Sequence, residues 1–220
     1  MTGTRLYPRE CLLAYLDFLR ISFETYGLPA SLYVDFHSIF YSRVETQLTT
    51  LGDVLRWLGI TFQYAPTPQA KGKVERQHLF WQNRLPAYLA AEGVSTIDQA
   101  NIHLDQLREH HNDHEIHREL QMEPSRAWRR AIKAGRSVLR KRPATPWWPY
   151  LWAIRTVVKV ALDGTAYLGP SRLRLPAMAG KRLLHCRHPD GSFTLLANEF
   201  GLGKPIVVNR LEGSCPPWDV

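Results

Sequence analysis

Cysteine, long apolar runs and acidic charge are what this 220-residue chain has little of. Its three cysteines, Cys11, Cys186 and Cys215, are odd in number, far apart and match no metal-ligand spacing. That pattern excludes a disulfide framework and a zinc finger, and it points to a reducing compartment. No apolar run approaches the roughly 20 residues that a membrane span requires. The opening residues, MTGTRLYPRE, lack the charged-then-apolar pattern of a secretory signal. A cytoplasmic location with no membrane partner is the expectation. Acids number 20 against 28 lysines and arginines, giving a net charge of +8 and a pI near 9.6. Such an excess favours a polyanionic partner, nucleic acid ahead of a membrane surface. With 45% hydrophobic residues the chain can still build one large core or two small ones.

The shortage of acid is sharpest at residues 126–142, RAWRRAIKAGRSVLRKR, which hold Arg126, Arg129, Arg130, Lys133, Arg136, Arg140, Lys141 and Arg142 with no acid among them. Charge pattern alone leaves open a solvated basic linker or a phosphate-binding surface.

Apolar residues at Leu12, Leu13, Leu16, Leu19 and Phe23 predict a helix between Pro8 and Tyr26, stopped by Gly27. Residues 31–35, SLYVD, read as a short strand, residues 45–58 as a helix ended by Gly59, and residues 60–64, ITFQY, as a second strand. Pro66, Pro68 and Gly72 break the chain before a helical run that carries Glu75, which Pro86 is expected to kink or divide. Ser95 and Asp98 suggest a capping box at the start of the next helix. Residues 143–152, PATPWWPYLW, resemble a linker that packs, and beyond it the pattern turns to period two. Residues 155–162, 165–169, 181–188, 192–197 and 205–209 predict a small antiparallel barrel of about five strands. The expected fold is α/β plus all-β, divided as 1–94, 95–152 and 153–220.

Two stretches carry the chemistry. Asp35 closes the β-type run in SLYVDFHSIF, and Glu75 opens a helical run forty positions later in PQAKGKVERQH. Each acid also has an ordinary structural use: Asp35 can cap the turn after its strand, and Glu75 suits a helix first turn.

The Pro-Gln-x-x-Gly-x-x-Glu-Arg block with Asp35 in LYVDFHSIF resembles the catalytic core of the DDE integrases and transposases of retroviral-integrase type. Residues 110–128, HHNDHEIHRELQMEPSRAW, are similar to the helix end and proline turn that follow that core in insertion-sequence transposases. The resemblance implies a partial RNase H-like core over 1–94, a helical and basic connector over 95–152 and an SH3-like barrel over 153–220. It makes Asp35 and Glu75 the second and third acids of a Mg²⁺ (or Mn²⁺) site for cutting and joining double-stranded DNA at transposon ends and target. Such chemistry uses two metal ions about 3.5–4 Å apart that stabilise the attacking and leaving oxygens, held by the oxygen ligands that Mg²⁺ prefers. Lys71, Lys73 and Arg76 would lie beside the phosphates, with Gln69 near a base or the scissile phosphate. Arg129, Arg130, Lys133, Arg136, Arg140, Lys141 and Arg142 would contact DNA, as would Lys159, Arg172, Arg174, Lys181, Arg182 and Arg187 of the barrel.

The first acid of the family lies on a strand well upstream of the second. Here the only earlier aspartate is Asp17, inside the first helix and expected to face solvent. The expectation is an N-terminally truncated transposase that is inactive by itself, does not hold the metal tightly, and self-associates or pairs with a full-length transposase. The alternatives are a non-catalytic DNA-binding module that inhibits transposition, and a decayed gene. A location in a bacterial cytosol or nucleoid follows. His110, His114 and His117 share one helical face as a possible zinc set or as a polar helix end. Trp147, Trp148 and Trp152 either stack on unpaired bases or anchor the linker.

Overall fold

The computed structural model describes residues 2–35, 37–42, 48–65, 72–169 and 171–213, without the side chains of Lys73, Val74, Arg76, Gln77 and Phe80. The chain divides into two compact units, Met1–Pro8 with Ile21–Arg142, and Arg9–Arg20 with Pro143–Val220.

The helix α1, Leu12–Tyr26, buries Leu13, Leu16, Leu19 and Phe23, the stripe that the sequence spacing predicts. Asp17 corrects the sequence expectation, because it is buried and its Oδ1 accepts from Arg20 Nη2 at 2.9 Å. Gly27, at φ 91°, ends the helix, with its amide donating to the Phe23 carbonyl at 3.0 Å.

In the first unit, strand β1 (Ser31–Val34) pairs parallel with β2 (Thr61–Tyr64), Ser31 opposite Thr61 and Val34 opposite Tyr64. A parallel pair needs a crossover, and helix α2 (Thr50–Trp57) lies within it. Thr49 caps α2, its Oγ1 accepting from the Gly52 amide at 3.0 Å, and Leu51, Val54, Leu55 and Leu58 are buried at helical spacing. The helix stops in a Schellman turn, with Gly59 at φ 64°. The Gly59 amide donates to Arg56 at 2.9 Å and the Ile60 amide to Leu55 at 2.8 Å. Of the two outcomes expected at Pro86, a kink or a division, the second does not occur, because helix α3 (Gly72–Ala91) runs through it as one element. Proline removes one donor from that ladder, and the flanking turns carry the helix past it. Helix α4 (Ile97–His114) is capped one residue later than Ser95 suggested: Thr96 Oγ1 accepts from the Gln99 amide at 3.2 Å. Gln99 Oε1 in turn accepts from the Ser95 amide at 3.3 Å, so Gln99 does the work expected of Asp98. Helix α5 (Pro124–Lys133) begins with proline, whose missing amide costs nothing in a first turn.

In the second unit, the short helix α6 (Trp148–Leu151) and its neighbours bury Trp147, Trp148 and Trp152. Trp147 Nε1 donates to the Gly203 carbonyl at 2.7 Å, and its ring meets Phe200 edge-on with centroids 5.0 Å apart. The tryptophans therefore anchor the linker, and burial takes their faces away from any unpaired base. Strands β3 (Ile154–Lys159), β6 (Arg182–Arg187), β7 (Phe193–Leu196) and β8 (Val207–Leu211) form an antiparallel sheet in the order β3-β6-β7-β8. Among the described residues, strands β4 (Thr165–Leu168) and β5 (Ser171–Arg174) pair only with each other, in a hairpin.

Among the described residues no ladder closes these strands into the expected barrel. The end of β3 pairs with the chain just before β6, Val160 donating to Lys181 at 2.9 Å and Gly180 to Val160 at 3.1 Å. A one-turn 3-10 helix at Pro176–Met178, opened by a proline that cannot donate, separates β5 from that path. The core here joins Trp147, Ala153, Cys186 and Leu196, with a second cluster of Val160, Ala166, Leu183 and Leu195. No described helix is long and apolar enough to cross a membrane.

Burial pushes the Cys186 thiol up to about 12, with Arg155 opposing weakly. Thiolate is the reactive form, so an alkylating reagent at about pH 8 is expected to modify half-exposed Cys11 while Cys186 reacts only after denaturation; peptide mapping checks this. Burial also lowers the basicity of His185, helped by Arg187, and of His188, where Arg210 and His185 assist and Asp190 opposes. A histidine depressed below 6.5 in the folded state leaves the unfolded chain binding more protons as pH falls. Stability from this source is present above about pH 6.5 and is lost below it. The melting temperature is expected to fall between about pH 7.5 and about pH 5.5, and less so in His188→Gln.

Candidate functional site

The parallel pairing of β1 and β2 brings their C-terminal ends to the same edge, Val34 beside Tyr64. Asp35 is the first residue beyond β1 at that edge, and Ala65 is the first beyond β2, its amide donating to the Val34 carbonyl at 2.8 Å. The carboxyl ends of parallel strands are where open α/β sheets place their ligands. Asp35 is half-buried, and its Oδ1 accepts from the His37 amide at 3.3 Å. It thus performs the turn-capping role that aspartate commonly takes, while its carboxylate stays at the strand end. The following loop is tied to β2. Tyr64 Oη donates to the Phe40 carbonyl at 2.9 Å, and the Phe40 and Phe62 rings meet at 5.8 Å. Burial raises the Tyr64 phenol pKa, with Tyr41 adding to the shift, so Tyr64 serves here as a donor.

Glu75 lies in the first turn of α3 and is exposed. The partial positive charge of a helix N-terminus favours a carboxylate there. Gln69 and Lys71 lie outside the described residues. Lys73 and Arg76 belong to the first turns of α3, and their side chains lie outside the described set. Among the described residues no three His, Cys, Asp or Glu side chains come together as a metal set.

The basic stretch divides into parts with different work. Arg129, Arg130 and Lys133 stand exposed on α5, and Arg136 and Lys141 are exposed beyond it. Arg142 pairs with Glu24, Nη1 to Oε1 at 3.7 Å. Arg140 is committed to the protein. Its backbone bridges Leu28, donating to the Leu28 carbonyl at 2.9 Å and accepting from the Leu28 amide at 2.8 Å. Its Nη2 donates to the Leu58 and Gly59 carbonyls, each at 2.9 Å, and reaches the Pro29 carbonyl at 3.5 Å. With Nη2 engaged by backbone carbonyls, less of the guanidinium is left to hold a phosphate. In the second unit Arg174 is likewise occupied, 3.6 Å from Asp163 Oδ2 and donating to Thr165 Oγ1 at 3.2 Å.

The three histidines do not share a helix face. α4 ends at His114, and His117 lies beyond it in a bridge with Met122. The His110 and His114 rings lie 5.2 Å apart, tilted by 37°, while His111 Nδ1 pairs with Glu115 Oε2 at 2.7 Å. The segment is a polar helix end built from local pairs. The sequence reading missed Arg140 as an internal ligand, although the two glycines that receive it, Gly27 and Gly59, were visible as helix stops.

No family model matches the chain. It is 30% identical over 138 residues to y4bF of Sinorhizobium fredii (strain NBRC 101917 / NGR234), a protein with a transposase name. That match covers 56% of this chain and 30% of the relative. It is also 30% identical over 109 residues to the transposase for insertion sequence IS1202 of Streptococcus pneumoniae, covering 46% of this chain and 23% of that protein. The chain thus spans less than a third of either relative's length. A chain of the simian T-cell lymphotropic virus intasome, solved in complex with PP2A regulatory subunit B56 gamma, aligns over 96% of this chain and 67% of its own length. At a TM-score of 0.48 and 15% identity that alignment is too loose to carry a conclusion about the fold. Over about half of its length, then, this chain is similar in sequence to parts of two transposases.

Proposed function

We propose that this chain supplies part of a DNA transposase of DDE-integrase type, contributing Asp35 and Glu75 to the catalytic acids and α5 to the binding of double-stranded DNA. The observation that carries the proposal is the placement of Asp35 at the C-terminal edge of a parallel strand pair whose second strand leads toward Glu75 at the start of α3. On this reading β1 and β2 are strands of a partial RNase H-like core, and the sheet of the second unit is an opened version of the SH3-like module. The DNA concerned is that of transposon ends and target, and the working partner is a second transposase chain.

The donors fit an oxygen-ligated divalent cation in kind and not in number. Two carboxylates suit a hard cation, and a two-metal displacement needs more ligands than two side chains give. Asp17 does not make up the number, because it sits buried inside α1 with Arg20 on its carboxylate. By themselves, therefore, these 220 residues bind DNA without cutting it. DNA contact falls to Arg129, Arg130 and Lys133, three cations at one end of α5 that carry charge but no base readout.

Affinity for a duplex oligonucleotide is expected to fall steeply as salt rises. Changing Arg130 or Lys133 to Ala should lower the salt slope by about one each, while Glu75→Gln leaves binding intact. With Mg²⁺ or Mn²⁺ the chain alone is expected to leave the DNA whole. Nicking that disappears in Glu75→Gln would overturn the inactive part of this reading. The absence of salt-dependent binding would overturn the DNA-binding part.

A further inference from the structure

Arg140 occupies a receptacle built by two glycines from different helix ends. A Cβ on Gly27 would meet the Arg140 carbonyl oxygen at 2.8 Å, and a Cβ on Gly59 would meet Arg140 Nη1 at 3.2 Å. Both glycines have positive φ, 91° and 64°, so each serves its helix stop and leaves room for the arginine. The two stops are also the approaches to the two paired strands. Gly27, Leu28, Pro29 and Ala30 lead from α1 into β1, and Leu58, Gly59 and Ile60 lead from α2 into β2. Arg140 reaches both approaches, bonding Leu28 and Pro29 on one and Leu58 and Gly59 on the other. A cation at the carbonyl end of α2 is also favoured by the helix dipole.

We propose that Arg140 is a positioning residue for the carboxylate site, fixing β1 against β2 from their N-terminal ends and thereby setting where Asp35 stands at the other end. The strands are four residues each, so a shift at one end reaches the other with little to absorb it. Among the residues of the basic stretch, Arg140 then acts through the protein and not through phosphate. The consequence for Asp35 rests on the catalytic reading of that residue above; the bonding of Arg140 does not.

The experiment compares the full chain with Arg140→Lys and Arg140→Gln. Lysine keeps the charge and loses the rigid guanidinium plane that aims Nη2 at the Leu58 and Gly59 carbonyls. Amide hydrogen exchange is read at Thr61 and Ala65, which donate across the pair to Ala30 at 3.2 Å and Val34 at 2.8 Å. Leu104, buried within α4, is the internal reference. Protection at Thr61 and Ala65 is expected to fall roughly tenfold or more in both variants, with Leu104 little changed. The salt slope for duplex DNA should match the wild type in both variants that fold. Wild-type protection at Thr61 and Ala65 in Arg140→Gln overturns the proposal, since glutamine lacks the charged nitrogen that bonds the Leu58, Gly59 and Pro29 carbonyls. An equal loss at Leu104 in Arg140→Lys also overturns it, by making the residue a general stabiliser. A salt slope lower by about one in Arg140→Gln does so as well, by returning the residue to the DNA surface. Failure of the wild type to bind DNA leaves the exchange arms standing and counts against the functional reading alone.

Discussion

The carbonyls at the end of a helix need partners, and at α2 an arginine from more than eighty positions along the chain supplies them. Leu58 and Gly59 present oxygens that the helix itself cannot satisfy, and the Schellman turn settles only the carbonyls of Leu55 and Arg56. By reaching past α2 to the approach of β1, Arg140 turns a local requirement into a long-range tie. The parallel pair depends on that tie more than its length suggests, because two strands of four residues bury little on their own. Asp35 stands at the far end of the same pair.

Helix positions were legible in the sequence wherever an apolar stripe met a stop. Leu13, Leu16, Leu19 and Phe23 define α1, and Leu51, Val54, Leu55 and Leu58 define α2, each closed by a glycine of positive φ. Places where two local signals compete were less legible. Ser95 and Thr96 both suit an N-cap; Thr96 takes the role by accepting from the Gln99 amide, while the Gln99 side chain accepts from the Ser95 amide. Pro86 signals a kink or a division, and a helix of twenty residues carries enough other bonds not to be divided by one missing donor. β5 escaped notice because Ser171–Arg174 alternates arginines with one leucine and lacks a β-branched residue.

The acids tell a similar story at the level of chemistry. Asp35 and Glu75 were marked by their neighbours, and the fold puts one at a strand end and the other in a helix first turn, as those neighbours implied. An acid inside a helix is expected to face solvent, yet Asp17 is buried, with Arg20 meeting its charge. The basic run was legible as charge and not as function. Eight cations in a row of seventeen look alike on paper, and only long-range contacts separate Arg140 and Arg142 from the exposed residues of α5.

The two glycines around Arg140 are not equivalent as places for change. At position 59 a side chain would press on the movable end of a guanidinium, and the left-handed backbone there is one that asparagine tolerates. At position 27 the same atom would strike a peptide carbonyl, which no substitution at 140 can remove. Relatives that part with the arginine are thus expected to admit asparagine beside glycine at 59, where only the backbone conformation still constrains the choice, while remaining bound to glycine at 27 for as long as the chain follows the same path beside it.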